Sequence, residues 1–299
     1  MAKRYPAHDA LVAPARARRE IWRIIASFGL IAVVIFGLNS VLQAGLLIFA
    51  PDFWIDEIAS AEAQVTTPGA MLILLGTFAF LIIGVFAATR LIHQRDPWEM
   101  FGPWSLLKRQ FIQVLGALVA LGAVILILPP YGSADAPLTL NLAPKTWALL
   151  LPFSLTAVLV QVSAEEVLFR GYLQQQLAAR FHKPVVWLAV PSLLFAVGHY
   201  LPSEAGPNAM AIMVWSGVFG ILLADMTARA GTLGPAIALH LANNASAFLF
   251  VSFPDTLNGL SLYTIPQSMV DPDAATDWLP VEFAVMFVSW LAARLAIRR

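Results

Sequence analysis

The chain has 299 residues, 59% of them hydrophobic and only 12% charged, with a formal net charge of zero. Together with a mean hydropathy of +0.76, this excludes an ordinary soluble globule and gives no basic surplus for nucleic acid; it describes an all-α protein built into a membrane. There is no cysteine, which excludes disulfides, thiolate metal sites and cysteine nucleophiles.

The first 23 residues are polar and basic, with Lys3, Arg4, Arg16, Arg18, Arg19 and Arg23, and read as a cytoplasmic tail. Residues 24–299 read as a single transmembrane domain, since there is no internal repeat and the polar stretches are too short for a second domain. The apolar run Ile24 to Ala50 is too long for a signal peptide and lacks a small-residue cleavage site, so it predicts a retained helix. Further runs of spanning length follow at about Ala70 to Ile92, Phe111 to Leu128, Trp147 to Arg170, Pro184 to Leu201, Asn208 to Met226, Thr232 to Val251 and Val281 to Ile297, about eight in all.

Charge alternation supports that count. With the N-terminus inside, the cytoplasmic loops and ends collect the basic tail, Arg90, Arg95, Lys108, Arg109, Arg170, Arg180, Lys183, Arg229, Arg294, Arg298 and Arg299. Only Lys145 falls outside, whereas Asp52, Asp56, Glu57, Glu62, Asp135, Glu204, Asp255, Asp271, Asp273 and Asp277 do. Both termini are therefore expected in the cytoplasm. Trp54, Trp98, Trp104, Trp147 and Trp278 read as belt residues at the interfaces. Ser216, Gly220 and Ala224 form a small-residue stripe for close helix approach, and Pro191 should kink the fifth helix and free a carbonyl.

The stretch Gln161 to Arg180 departs from this apolar plan by placing Glu165, Glu166 and Arg170 in or beside a membrane helix. Each charge at bilayer depth costs roughly 2.5 to 3.5 kcal/mol on insertion scales. Glu166 and Arg170 are four apart and can pair, whereas Glu165 lies about 100° away and is free to point elsewhere. A blander reading is that both glutamates snorkel to the headgroups.

Two more polar clusters follow, Phe195-x-x-x-His199 and His240-Leu-Ala-Asn243-Asn244, with His240 and Asn244 on one helical face. If the fourth and fifth helices form a hairpin about His182, Glu165 and His199 lie at equal depth, each 17 positions away (182 − 165 and 199 − 182). That holds if the fourth helix runs on through Arg180 rather than turning at Gly171. On the same ruler His240 falls closer to the cytoplasm. Singly, each of these residues is compatible with interfacial or interhelical hydrogen bonding; together they favour a buried site able to do chemistry.

Glu165-Glu166-x-x-x-Arg170, Phe195-x-x-x-His199 and His240-x-x-x-Asn244, in that order over about Gln161 to Phe248, resemble the motifs of the CPBP family, the type II CAAX prenyl endopeptidases and bacteriocin-processing or immunity proteins also called ABI. The resemblance places the CPBP-like core at about 145–252. It implies an intramembrane glutamate-type endopeptidase, without cofactor or metal, acting on a membrane-associated peptide or protein that carries a lipid in the eukaryotic branch. It makes Glu165 the catalytic glutamate, His199 its partner on the water, His240 and Asn244 the oxyanion pair, and Glu166 and Arg170 supporting residues. A multi-pass protein of a prokaryotic plasma membrane, in contact with lipid, is the expected setting. Rival readings are a non-catalytic peptide-binding immunity or regulatory protein, a zinc protease built on the Glu and two His, and a transporter with a proton relay.

Overall fold

A computed structural model describes residues 5–59, 65–127, 137–272 and 274–298, without the side chains of 274–278. Lys3, Arg4, Glu62, Leu128, Asp135, Asp273 and Arg299, and the side chains of Asp277 and Trp278, lie outside the described residues.

Among the described residues the α-helices of seven residues or more are α1 Pro6–Val12, α2 Ile21–Phe49, α3 Pro68–Leu91, α4 Trp104–Ile127, α5 Pro144–Glu166, α6 Gln174–Arg180, α7 Pro184–Gly198, α8 Ala209–Ala230, α9 Gly234–Ala245 and α10 Ala274–Ala296. Every expected apolar run coincides with one of these helices. Proline stands in the first two positions of α1, α3, α5, α7 and α9, where its missing N–H has no intrahelical partner to lose.

Six helical stretches are long and apolar enough to cross a bilayer, among them Pro144–Arg180, which joins α5, a π-helical turn Val167–Leu173 and α6 into 37 residues. The expected fourth helix thus runs on through Arg180. The other two runs are shorter: α7 has 15 residues and α9 has 12, extended by a five-residue π-helical turn, Ser246–Phe250. Large apolar side chains such as Phe36 (74% exposed) and Phe49 (87%) cover the outside of the bundle. An all-α architecture with such a surface is a multi-pass membrane fold.

Packing is closest where side chains are smallest. Ser216, Gly220 and Ala224 of α8 face inward, and a Cβ on Gly220 would meet the Cα of Ser192 in α7 at 3.2 Å. The same contact brings α7 and its Pro191 against the α8 stripe. A second close approach lies at the turn between α8 and α9. Gly102 has φ +76° and a Cβ there would lie 2.5 Å from the Gly231 carbonyl, while a Cβ on Gly234 would collide with the carbonyl of Leu107 in α4. The turn Gly231–Leu233 is fully buried, and its Leu233 N–H donates to Phe101 O at 3.2 Å.

At the other end of the bundle, two-residue strands β1 Thr139–Leu140, β2 Val251–Ser252 and β3 Tyr263–Thr264 form a small sheet in the order β1-β3-β2. β1 pairs antiparallel and β2 parallel with β3.

The basic N-terminal stretch is more than a solvated tail. Tyr5, His8, Leu11, Val12 and Ala15 are buried, and their spacing of three or four makes them one face of α1 and the 3-10 turn after it. Val12 and Ala15 pack on Ala179 of α6.

Candidate active site

Glu165 and Glu166 end α5, and Arg170 lies in the π-helical turn that follows. Such turns are rare and cluster at functional sites, since they rotate side chains away from the regular helical register. Glu166 and Arg170 are completely buried and form a 2.9 Å ion pair, as their spacing predicts. The second Arg170 amino group donates to Gly220 O at 3.1 Å, so the small residue in α8 that admits α7 also exposes a carbonyl to the guanidinium.

His240 of α9 lies between the two glutamates. Its Nδ1 is 2.8 Å from Glu166 Oε1 and its Nε2 is 3.4 Å from Glu165 Oε2. A carboxylate only accepts, so Nδ1 carries the proton towards Glu166. Oε2 of each glutamate is buried without a hydrogen bond, but Glu166 is held by Arg170 and His240 through its Oε1. Glu165 is therefore the glutamate that no hydrogen bond anchors, as its rotation away from Arg170 implies. Phe195, Phe219 and His240 pack edge-on, with ring centres 5.9 and 5.4 Å from the imidazole, and Arg170 lies 4.8 Å above the Phe195 ring.

The depth of His240 differs from the ruler based on helix starts. That ruler places the start of every helix on one plane, whereas α9 begins at the buried turn Gly231–Leu233, pressed onto α4. Its first turn is already inside the protein, and six residues bring His240 level with the glutamates.

His199 caps the C-terminal end of α7, half-buried, with Nδ1 2.8 Å from Phe195 O. The carbonyl requires Nδ1–H, which leaves a lone pair on Nε2 in the neutral ring. Its ring centre is 4.4 Å from Phe195. Among the described residues no hydrogen bond or ion pair joins Glu165 to His199, although the Phe195 ring touches both His199 and His240. Asn244 follows His240 by one turn and donates Nδ2 to Gln161 Oε1 at 2.9 Å, while its Oδ1 accepts from Asn243 at 3.1 Å. Gln161 was not among the residues singled out from sequence, although it stands four positions before Glu165 and so on the same face.

Residues 146–246 match the type II CAAX prenyl endopeptidase Rce1-like family. The matched segment holds Glu165, Glu166, Arg170, His199, His240 and Asn244. That segment is similar to an Rce1-like domain. Beyond it, the chain is 25% identical over 276 residues to the uncharacterized protein YyaK of Bacillus subtilis (strain 168), covering 87% of this chain and 88% of that protein. The likeness to YyaK therefore takes in helices on both sides of the segment that matches the family. No solved structure matches the chain.

Proposed function

We propose that this protein is an intramembrane endopeptidase in which Glu165 activates water for attack on a peptide bond of a membrane-associated protein or peptide. The observation that carries the reading is the division of labour between adjacent glutamates: Glu166 is anchored through Oε1 to Arg170 and His240, while Glu165, with its Oε2 buried 3.4 Å from His240 Nε2, is held by no hydrogen bond. A buried acceptor of this kind is a place for a water molecule.

In this reading Glu165 takes a proton as the water oxygen bonds to the scissile carbonyl carbon, with the His199 Nε2 lone pair accepting the water's other hydrogen. The oxyanion receives hydrogen bonds from His240 Nε2 and Asn244 Nδ2. Since Nδ1 already donates to Glu166, Nε2 donates only from the imidazolium form, and Glu165, Glu166, Arg170 and that imidazolium make a charge-balanced set. Glu165 then returns its proton to the departing amine nitrogen as the C–N bond breaks. The setting we propose is the plasma membrane of a prokaryote, in keeping with the Bacillus relative.

A zinc mechanism would need three convergent donors; among the described residues no such His, Asp or Glu group forms, and chelators decide between the two routes. The test is cleavage of quenched fluorescent membrane and lipidated peptides by the purified protein. We expect Glu165→Gln to lower the rate by about 10² to 10⁴ and a strong chelator to leave it intact. Cleavage by Glu165→Gln at the wild-type rate would sink the glutamate mechanism, and loss to a chelator with recovery on zinc would replace it with the metal route.

A further inference from the structure

Two cavities open side by side where the basic end of α10 meets the start of α4. One, of about 430 Å³, is lined by Arg109, Gln113, Ala296, Ile297 and Arg298; the other, of about 360 Å³, by Leu291, Arg294, Leu295 and Arg298. Arg298 belongs to both. No acidic side chain lines either of them, and among the described residues Arg109 and Arg298 have no ion-pair or hydrogen-bond partner for their guanidinium groups. Arg294 differs, since its guanidinium lies 4.8 Å over the Trp290 ring.

Helical spacing orders these residues by depth. Arg109 and Gln113 are four apart on α4, Leu291, Arg294 and Leu295 share one face of α10, and Arg298 lies in the turn two residues past its end. Leu291 (48% exposed) and Leu295 (78% exposed) are bare to the surroundings of the bundle. A surface with exposed leucines towards the bilayer centre and converging guanidinium groups at its edge has the profile of a phospholipid, chains along the leucines and headgroup at the arginines. Guanidinium forks match phosphate oxygens in pairs, and Gln113 offers a further amide donor.

We propose that the cavity between Arg109 and Arg298 binds the phosphate of an anionic phospholipid, whose acyl chains lie along Leu291 and Leu295. This site lies on the α4–α10 pair and shares no residue with the Glu165 constellation, so it stands independently of the catalytic reading.

The test titrates purified, delipidated full-length protein with phosphatidylglycerol, phosphatidylcholine or inorganic phosphate and counts bound species by native mass spectrometry. We expect wild type to retain phosphatidylglycerol over phosphatidylcholine and Arg109→Ala/Arg298→Ala to weaken that retention by about thirtyfold, the effect of two basic side chains at a membrane surface. Arg180→Ala/Lys183→Ala, a basic pair at another helix end, should change it by no more than about threefold. Equal retention of the two lipids by wild type, a comparison that needs no variant to fold, overturns the site, as does undiminished retention by Arg109→Ala/Arg298→Ala. Displacement of phosphatidylglycerol by millimolar inorganic phosphate would overturn the lipid assignment in favour of a free anion.

Discussion

Gln161 is buried one turn before Glu165, and its side-chain oxygen accepts the Asn244 amide at 2.9 Å. Asn243 fixes the other end of that amide, so of the Asn244 donors one hydrogen is committed and one is left for a developing oxyanion. Gln161 is then a positioning residue. We expect Gln161→Met, of similar shape without the acceptor, to lower kcat by about tenfold with KM little changed, short of the 10² to 10³ of a lost oxyanion donor. Gln161→Glu, which keeps an acceptor for the Asn244 amide, should restore most of the rate. Equal kcat in wild type and Gln161→Met, with wild type active, would remove Gln161 from the machinery while leaving the Glu165 reading intact. At this scale the i,i+4 rule is sufficient for Glu166 with Arg170, because both sit on one continuous helix. It says nothing of Gln161 with Asn244, a contact across two helices 83 positions apart.

Among the elements, α1 shows where composition misleads. Its charges mark it as a basic tail, yet Tyr5 donates to Asp225 of α8 at 2.8 Å, and the ring centre of His8 is 4.4 Å from Trp187 of α7. The buried 3.6-period face was present in the sequence; about three turns of it among charged residues are too short to outweigh them. The π-helical turn at Val167–Leu173 has no comparable signal, since apolar residues around a fully buried helix carry no phase. Burial pushes the His8 pKa down from 6.5 to about 4, opposed by Asp9 and aided by Arg16; Gln174 of α6 and Trp187 of α7 face it without charge. The lowered value means that undocked α1 takes up a proton more readily than docked α1, so docking is fully supported above about pH 6.5 and weakens as pH falls towards 4. Hydrogen exchange should therefore show protection of residues 5–15 at pH 7 that declines at pH 5. In His8→Phe, which keeps the ring packing and cannot titrate, the decline should disappear. A decline unchanged by that substitution would assign the effect to another group.

For the molecule as a whole, the loops sort onto two faces. The small sheet ties residues 139–140, 251–252 and 263–264 to one end, while contacts among α1, Phe101, Leu107 and the Gly231–Gly234 turn tie those segments to the other. α9 and its π-helical extension must therefore run from one face to the other despite their 17 residues, at the short limit for a bilayer span. A buried start, packed on α4 rather than in the headgroups, is what makes so short a crossing possible. Arg16, Arg18, Arg90, Lys108, Arg109, Arg180 and Lys183 lie with the Gly231 face, which charge bias assigns to the cytoplasm. The chain has no cysteine, so single-cysteine variants report topology without background. Exposed positions Lys183, Ser203 and Pro254 bracket α7 and follow α9. In intact cells an impermeant maleimide should label Ser203→Cys and Pro254→Cys, and Lys183→Cys only after permeabilisation. Labelling of Pro254→Cys only after permeabilisation would mean that α9 re-enters rather than crosses, placing His240 and Asn244 on a hairpin and reversing the face from which water and substrate reach Glu165.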